Sequence, residues 1–279
     1  MEERSLYQNA NDFPPELWEV YSVGQVSYYQ LKGQPNDDYH KKIKKAFRLP
    51  SSRIERAIHG AFGMTPAQVA LEIAGYYHPG VSERRVVLMN RGQQTEGEIR
   101  NWYIQTYSSQ EWQVKINLVN ITVPKENPIG DPKLHCRYSN MVDGVVTYQH
   151  KLTGQVVSGG ILEFKTVDQV YPELLAHQAA MARGEKFPPF YHTHLKAEHY
   201  AQCQSGLSIR GASWCDYVVY GVQDLQVYTE RLYFNESYWR ETRAAADQFI
   251  TQLLDPVIER GPSALAIDVE KTSERNEDQ

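Results

Sequence analysis

The spacing of apolar positions changes about a third of the way along the chain. In the first third they recur at helical spacing, as in the run from Ile54 to Gly60, which Ser51 or Ser52 is placed to cap. A second helix is expected from Pro66, and a third after Gly92. From about residue 113 the pattern becomes alternating and β-branched. The sequence therefore predicts that helices precede the strands.

Further elements are expected after this change. Turn-forming residues at 149–154 join two of the predicted strands as a hairpin. Strands are predicted at 114–119, 145–148, 156–164, 217–220 and 226–228, helices at 172–180 and 195–207, and a C-terminal helix from about Tyr238 to Gly261. We interpret this order as a helical N-terminal region, 1–85, packed on a core, 86–262, with a polar and disordered tail at 263–279.

The charge balance limits how the protein can bind nucleic acid. A formal net charge of -5 and a pI near 6.0 argue against a protein that coats nucleic acid indiscriminately. One basic stretch, His40–Arg48, is continued by Arg53 and Arg56. From charge alone, a solvated helix surface is the favoured interpretation of this stretch. Any contact with nucleic acid is therefore expected to be local.

The cysteines and the N-terminus indicate an intracellular, soluble protein, in the cytoplasm or in a nucleus. Cys136, Cys203 and Cys215 form no CxxC pair and are expected to be reduced, packed thiols. The first residues contain no apolar signal core, and no window reaches the roughly 18 apolar residues of a membrane span.

The chemistry is concentrated in the predicted strand that ends Glu163-Phe164-Lys165. Alternate side chains of a strand share a face, so Glu163 and Lys165 point the same way. If the two strands of the predicted hairpin pair, Asp143 comes close to Glu163. Two carboxylates and a lysine suit a hard divalent cation and phosphodiester chemistry. A surface ion pair is the plainer explanation, but the apolar residues around Glu163 argue for an interior strand.

A third acid is expected from the helix after Gly92. Glu96 is the first choice, and Glu98 on the same helix competes with it. A separate possibility is a histidine metal site formed by His192, His194 and His199, although a His-x-His pair is a permissive pattern. The spacing alone leaves these alternatives open.

Several motifs together resemble a known family. They are Asp143-Gly144, Glu163-Phe164-Lys165, Tyr200-Ala201-Gln202-Cys203-Gln204 and the strand Trp214 to Tyr220, with weaker matches at Ser51 to Ile54 and in the G-x-x-x-E pattern of Gly92 to Glu96. In this order they resemble the lambda-exonuclease-like family, also called the YqaJ viral recombinase family, of the PD-(D/E)XK nuclease superfamily. The resemblance spans about residues 48 to 240. It implies an α/β (α+β) fold with a restriction-endonuclease-like core, in which helices flank a mixed central β-sheet.

The resemblance also implies roles for individual residues. Asp143, Glu163 and the Phe164 carbonyl would bind Mg²⁺ or Mn²⁺, and Glu96 would complete the centre through a water or a second metal. Lys165 would orient or deprotonate the attacking water or stabilise the charged phosphate, with Gln202 positioning the water or the lysine. Arg48, Ser52, Arg53 and Tyr200 are the residues expected to contact DNA.

By the same resemblance, the activity would be that of a magnesium-dependent deoxyribonuclease. A 5′ to 3′ exonuclease acting on the ends of linear double-stranded DNA, in recombination or end processing, is the leading hypothesis. A homotrimer and a single-strand annealing protein as partner are implied, and no membrane. The alternatives are an endonuclease on the same fold and a non-catalytic nucleic-acid-binding protein derived from it.

Overall fold

The structure of the protein is a computed structural model. It describes residues 18–23, 26–32, 49–61, 63–77, 83–119, 121–124, 138–186 and 195–265. Within these ranges, three sheets and a set of helices enclose several hydrophobic clusters. Among the helices of these ranges, none is both long and apolar enough to cross a membrane.

A five-stranded mixed sheet forms the centre. Its strands are β4 (Trp112–Asn117), β7 (Gly144–His150), β8 (Val156–Val167), β9 (Trp214–Gly221) and β10 (Val227–Tyr233). Their order is β10-β9-β8-β7-β4, in which only β8 and β9 are parallel and every other neighbouring pair is antiparallel. The hairpin and the late strands predicted from the sequence are therefore present.

Each face of this sheet is covered by helices. Even-numbered residues of β8, Leu162 and Phe164, pack with Ile99 and Tyr103 of helix α3 (Glu83–Tyr107). On the opposite face, Ile161 packs under the helices α4 (Pro172–Ala182) and α5 (Ala197–Arg210). Because successive side chains of a strand alternate between faces, β8 is apolar on both sides over its central part.

A second hydrophobic cluster lies on the far side of α5. It joins α5 to α1 (Ile54–His59), α2 (Pro66–Ile73), α6 (Glu236–Phe249) and the π-helical turn Ile250–Leu254 that leads to α7 (Asp255–Arg260). Helix α2 begins at a capping box, in which the Thr65 side chain accepts from the backbone of Gln68 and Gln68 accepts from the Thr65 backbone.

The N-terminal region contains strands as well as helices, which corrects one prediction. The strands β1 (Trp18–Val23) and β2 (Val26–Leu31) pair antiparallel, and β2 pairs with β5 (Thr122–Pro124). The description of 1–85 as helical, and the expectation that helices precede strands, are therefore wrong. The division of the chain at residue 85 stays a prediction.

Helix α3 and the C-terminal end also depart from the predictions. The helix expected after Gly92 begins at Glu83 instead and runs through Gly92. Glycine lowers helix propensity without forbidding a helix whose other side chains pack well. At the far end, Pro262–Leu265 forms a 3-10 helix, so the tail predicted to be disordered begins with ordered residues. Residues 266–279 lie outside the described residues.

Candidate active site

The candidate site lies where β8 changes its hydrogen-bonding partner. β7 pairs with β8 only as far as Gly144 opposite Leu162, where the Asp143 N–H donates to the Leu162 carbonyl at 3.1 Å. On its other side, β8 stays paired with β9 to Val167. The β7-side edge of β8 beyond Leu162 is therefore open to a ligand.

Asp143 lies beside this open edge. Its Oδ2 accepts a hydrogen bond from the Phe164 N–H at 2.6 Å, so the carboxylate lies at the place where a neighbouring strand would pair. In an extended strand the N–H and C=O of one residue point to the same side, so the Phe164 carbonyl is directed to this edge too. One carboxylate and one carbonyl oxygen thus converge on the same opening.

Glu163 and Lys165 point to the face covered by α5. Lys165 Nζ donates to Glu163 Oε1 at 2.6 Å and to Gln202 Oε1 at 3.2 Å. Glu163 is buried, with 4% of its surface exposed. The structure therefore brings together Asp143, Glu163, Lys165 and Gln202, as the sequence predicted.

The electrostatics of this group show a shortage of positive charge. Burial, and then the nearby Glu163, raise the pKa of Asp143 well above its usual value. Burial also raises the pKa of Glu163, although Lys165 and Gln202 oppose the change. Burial lowers the pKa of Lys165, but Glu163 and Asp143 outweigh it, so the net shift is upward. The Lys165 side chain is therefore charged, and its single positive charge does not balance the two carboxylates.

The structure decides which of the two candidate acids of α3, Glu96 or Glu98, faces the site. Glu96 lies close enough to raise the pKa of both Asp143 and Glu163, and it pairs with Arg100 at 3.3 Å. Glu98 instead contacts Tyr220, whose pKa is raised by burial and then by this carboxylate. Glu96 is therefore the acid that faces the site.

Two contacts that the sequence did not indicate hold α3 in this position. Thr95 Oγ1 and Thr166 Oγ1 lie 2.9 Å apart, and Arg91 forms an ion pair with Asp168 just after β8. Both contacts join residues more than seventy positions apart in the chain. No local signal distinguishes such pairs from ordinary surface residues.

The donor set fits a hard divalent ion. Among the described residues, no three Asp, Glu, His or Cys side chains form a metal cluster by themselves. Mg²⁺ does not need one, because it commonly keeps several waters and takes one or two carboxylates. Asp143, Glu163 and the Phe164 carbonyl supply that set, and a cation would offset the charge shortage between them.

The residues predicted to contact DNA are in different situations. Parallel pairing of β3 (Leu49–Pro50) with β6 (Tyr138–Ser139) places the turn that begins at Ser51 beside the segment leading to Asp143. Within this turn, Ser52 is exposed. The Arg53 side chain is 34% exposed and pairs with Glu72 at 3.4 Å. Arg48 lies outside the described residues.

Tyr200 is buried and not placed on the surface, which corrects the prediction that it contacts DNA. Only 1% of its surface is exposed, and its ring packs edge-on against Tyr238 at 4.7 Å between centroids. Residues two apart on a helix point about 160° away from each other, so when Gln202 faces the site Tyr200 faces the core. The sequence of this short motif does not indicate whether the tyrosine faces the site or the core.

His199, which the sequence offered as a ligand of a histidine metal site, contacts strand β9. Its Nδ1 lies 2.7 Å from the Tyr217 hydroxyl, on the face of the sheet that α5 covers. Burial, Lys165 and Lys196 lower the pKa of His199 to about 3, so the ring is neutral. The predicted partners His192 and His194 lie outside the described residues.

Two of the three cysteines also lie near the site. Cys203 follows Gln202 on α5, and Cys215 lies on β9. Both are buried free thiols, as predicted, whereas Cys136 lies outside the described residues.

Comparison with known proteins bears on the fold. No family model matches the sequence, and no curated protein sequence matches it. Among solved structures, the alkaline exonuclease LHK-Exo from Laribacter hongkongensis is 19% identical, with 78% of this chain and 93% of that chain covered and a TM-score of 0.48. LHK-Exo in complex with dAMP is also 19% identical, covering 80% of this chain and 95% of that chain with a TM-score of 0.50.

The likeness to the dAMP complex shows a shared fold. The sequence motifs predicted this fold through their resemblance to the lambda-exonuclease-like family, so the resemblance is confirmed at the level of the fold. The chain has a mixed α/β architecture in which helices flank a central mixed sheet.

Proposed function

We propose that the protein is a metal-dependent deoxyribonuclease that degrades linear double-stranded DNA from its 5′ ends. The observation that carries this proposal is the convergence of Asp143 and Glu163 with Lys165 at the open edge of β8. Phosphodiester hydrolysis by a nuclease needs carboxylates that can hold a metal ion and a positively charged side chain beside them. Asp143 and Glu163 are those carboxylates, and Lys165 is the charged side chain.

The cofactor we propose is Mg²⁺ or Mn²⁺. Asp143, Glu163 and the Phe164 carbonyl would hold it, and Glu96 would complete the centre through a water or a second ion. When bound, such an ion lowers the pKa of a coordinated water and neutralises charge on the phosphate.

The protein's own residues then have distinct tasks. Lys165 is held between Glu163 and Gln202, and its raised pKa keeps it charged at neutral and mildly alkaline pH. We therefore assign it to the attacking water and the phosphate, where it would orient or deprotonate the water or stabilise the negative charge that develops on the phosphate. Gln202 fixes the position of its ammonium group.

The direction of digestion and the substrate rest on resemblance. The motifs resemble a family with exonuclease members, and one solved structure with the same fold is LHK-Exo in complex with dAMP, an alkaline exonuclease. A ring of three copies and a single-strand annealing protein as partner belong to the same proposal.

The test uses three DNA substrates in Mg²⁺ at mildly alkaline pH: linear duplex with a labelled 5′ phosphate, the same duplex without the phosphate, and a closed circle. We expect progressive loss of the linear duplex, faster with the 5′ phosphate, and an intact circle. Nicking of the circle would instead identify an endonuclease. Binding without cleavage in Mg²⁺ and Mn²⁺ would identify a non-catalytic DNA-binding protein.

A pair of lysine variants ties the activity to this site. Lys165→Ala is expected to lower the cleavage rate by about a thousandfold. Lys151→Ala is the matched control, because Lys151 lies at the far end of the same hairpin and donates to the Ser109 carbonyl. Equal rates for the Lys165→Ala variant and the unmodified protein would show that the site is elsewhere.

A further inference from the structure

Helix α3 contains two glycines in its interior, Gly92 and Gly97. Glycine destabilises a helix relative to alanine, and neither residue has the positive φ that would call for glycine. Nor does packing explain them. No atom of the described chain outside the local helix lies within 4 Å of the place where a Cβ would stand at either position.

The two glycines face different surroundings. Gly92 lies one turn before Glu96, so the two residues project about 40° apart around the helix axis. It is also three residues before Thr95, which contacts Thr166 of β8. Gly92 is therefore on the side of α3 that faces the end of β8 and the carboxylates.

Gly97, which is as partly buried as Gly92, lies on a different side of the helix. It is rotated about 140° from Gly92 around the helix axis. Of the four residues one turn away from Gly97, Gln93, Gln94 and Asn101 are exposed and Arg100 is partly buried. An empty Cβ position is ordinary on this outer face. On the inner face, where Ile99 two turns beyond Gly92 is fully buried, the empty Cβ position marks an opening beside the site.

We propose that the missing side chain at Gly92 leaves room for the sugar–phosphate backbone of the DNA strand held at the carboxylate centre. This inference rests on the proposed function and adds that the site takes an extended polynucleotide. Because Glu96 faces the centre, α3 forms one wall of the opening. A strand bound there continues past the turn of helix that precedes Glu96, which is the turn that contains Gly92.

The experiment compares four variants: Gly92→Ala and Gly92→Leu against Gly97→Ala and Gly97→Leu. Four quantities are measured for each variant. They are the Kd for an end-labelled duplex with Ca²⁺ in place of Mg²⁺, the kcat/KM for the same duplex in Mg²⁺, the Kd for Mn²⁺ alone by electron paramagnetic resonance, and the Tm from thermal unfolding.

For Gly92→Ala we expect kcat/KM on the duplex to fall about tenfold, and for Gly92→Leu about a hundredfold, with weaker duplex binding and unchanged Mn²⁺ affinity. Both Gly97 variants should cleave as the unmodified protein does. Each alanine variant should raise Tm by about 2 °C, because both glycines weaken the helix. At Gly92 the effects on stability and on activity therefore have opposite signs.

Two results would overturn the inference. If the Gly92 and Gly97 variants bind and cleave the duplex equally well, the inner face is not a passage for DNA. If Gly92→Ala and Gly92→Leu are equally impaired, the glycine acts through helix flexibility rather than through space. Failure of the proposed function looks different, because the unmodified protein would then leave the duplex uncut in both Mg²⁺ and Mn²⁺.

Discussion

The Lys165 ammonium group donates to the Gln202 amide oxygen across the gap between β8 and α5, at 3.2 Å. Lys165 therefore has one partner on its own strand, Glu163, and one on the covering helix. We expect Gln202→Ala to lower kcat by about tenfold to a hundredfold with little change in KM, because the lysine loses its orientation but keeps its charge. Steady-state kinetics on labelled duplex DNA measures both constants.

Gln204 provides the control for this prediction. It lies two residues further along α5, is fully buried, donates to the Tyr233 carbonyl and accepts from the Asn235 N–H. Gln204→Ala leaves these two backbone groups unsatisfied and should lower the free energy of unfolding by about 2 kcal/mol, with normal activity per folded molecule. If the two variants lose activity alike, Gln202 acts through stability alone.

Divalent metal should bind only when both site carboxylates are present. Asp143→Asn keeps an oxygen that can accept from the Phe164 N–H, so its fold should survive while its charge is lost. We expect Mg²⁺ to raise the Tm of the unmodified protein and to leave the Tm of Asp143→Asn and Glu163→Gln unchanged. Without metal, Glu163→Gln should be at least as stable as the unmodified protein at pH 8, because it removes a buried charge.

The result that contradicts this prediction is a Mg²⁺-dependent rise in Tm that persists in both variants. Asp168→Asn serves as a charge-matched control, since Asp168 pairs with Arg91 outside the carboxylate group. Its response to Mg²⁺ should equal that of the unmodified protein.

His199 should make the protein sensitive to acid. Because its pKa falls from 6.5 to about 3 on folding, the unfolded chain binds the imidazole proton more tightly than the folded one. Its contribution to stability is therefore complete above pH 6.5 and is lost as the pH falls from 6.5 towards 3. Urea unfolding should show about 2 kcal/mol less stability from this group at pH 5 than at pH 7.5.

His199→Asn separates this effect from other titrations. The charged and titratable groups around the ring are Lys165, Lys196, Glu198 and Tyr217, and all of them remain in the variant. The difference in stability between the variant and the unmodified protein should therefore shift in favour of the variant as the pH is lowered. A difference that stays constant from pH 7.5 to pH 5 would exclude a neutral, buried His199.

The buried Asp216 carboxylate on the opposite face of the sheet should be important for stability and not for catalysis. It accepts two hydrogen bonds at 2.8 Å from Arg231, whose side chain is 37% exposed, and one from the buried Tyr103 hydroxyl at 2.6 Å. Asp216→Ala leaves the Tyr103 hydroxyl without its acceptor and should cost about 2 kcal/mol in chemical denaturation. Glu185→Ala breaks a pair of the same length, with Arg183, that is more than half exposed, and should cost less than about 1 kcal/mol.

The parts of the site that lie on neighbouring strands could be predicted from the sequence. Glu163 and Lys165 share a face because alternate side chains of a strand point the same way. The turn between β7 and β8 then brings Glu163 and Lys165 back beside Asp143, which lies just before β7. The order of the motifs, through their resemblance to a known family, then predicted the mixed α/β fold with its central mixed sheet. Local pattern was sufficient here because β7 and β8 are joined by a short turn.

Contacts between distant segments could not be predicted in the same way. Whether Glu96 or Glu98 faces the centre depends on how α3 is rotated, and Thr166 and Asp168 determine that rotation from the end of β8. Strand β2 pairs with β5, which lies some ninety residues further along the chain. Because this partner is so distant, the sequence around β2 did not predict a strand there. The side of α5 on which Tyr200 lies was likewise determined by tertiary packing.

The pairing of β7 with β8 begins only at Gly144, and this limit has an evolutionary consequence. If β7 began two residues sooner, its backbone would occupy the Phe164 N–H and C=O, and the sheet would gain two hydrogen bonds where the Asp143 carboxylate now lies. A more complete sheet and a working site thus exclude each other at this edge. Substitutions or insertions that lengthen β7 would be favoured by stability and removed by selection for activity, so we expect the length of this strand to vary less among functional relatives than the length of the turn at its other end.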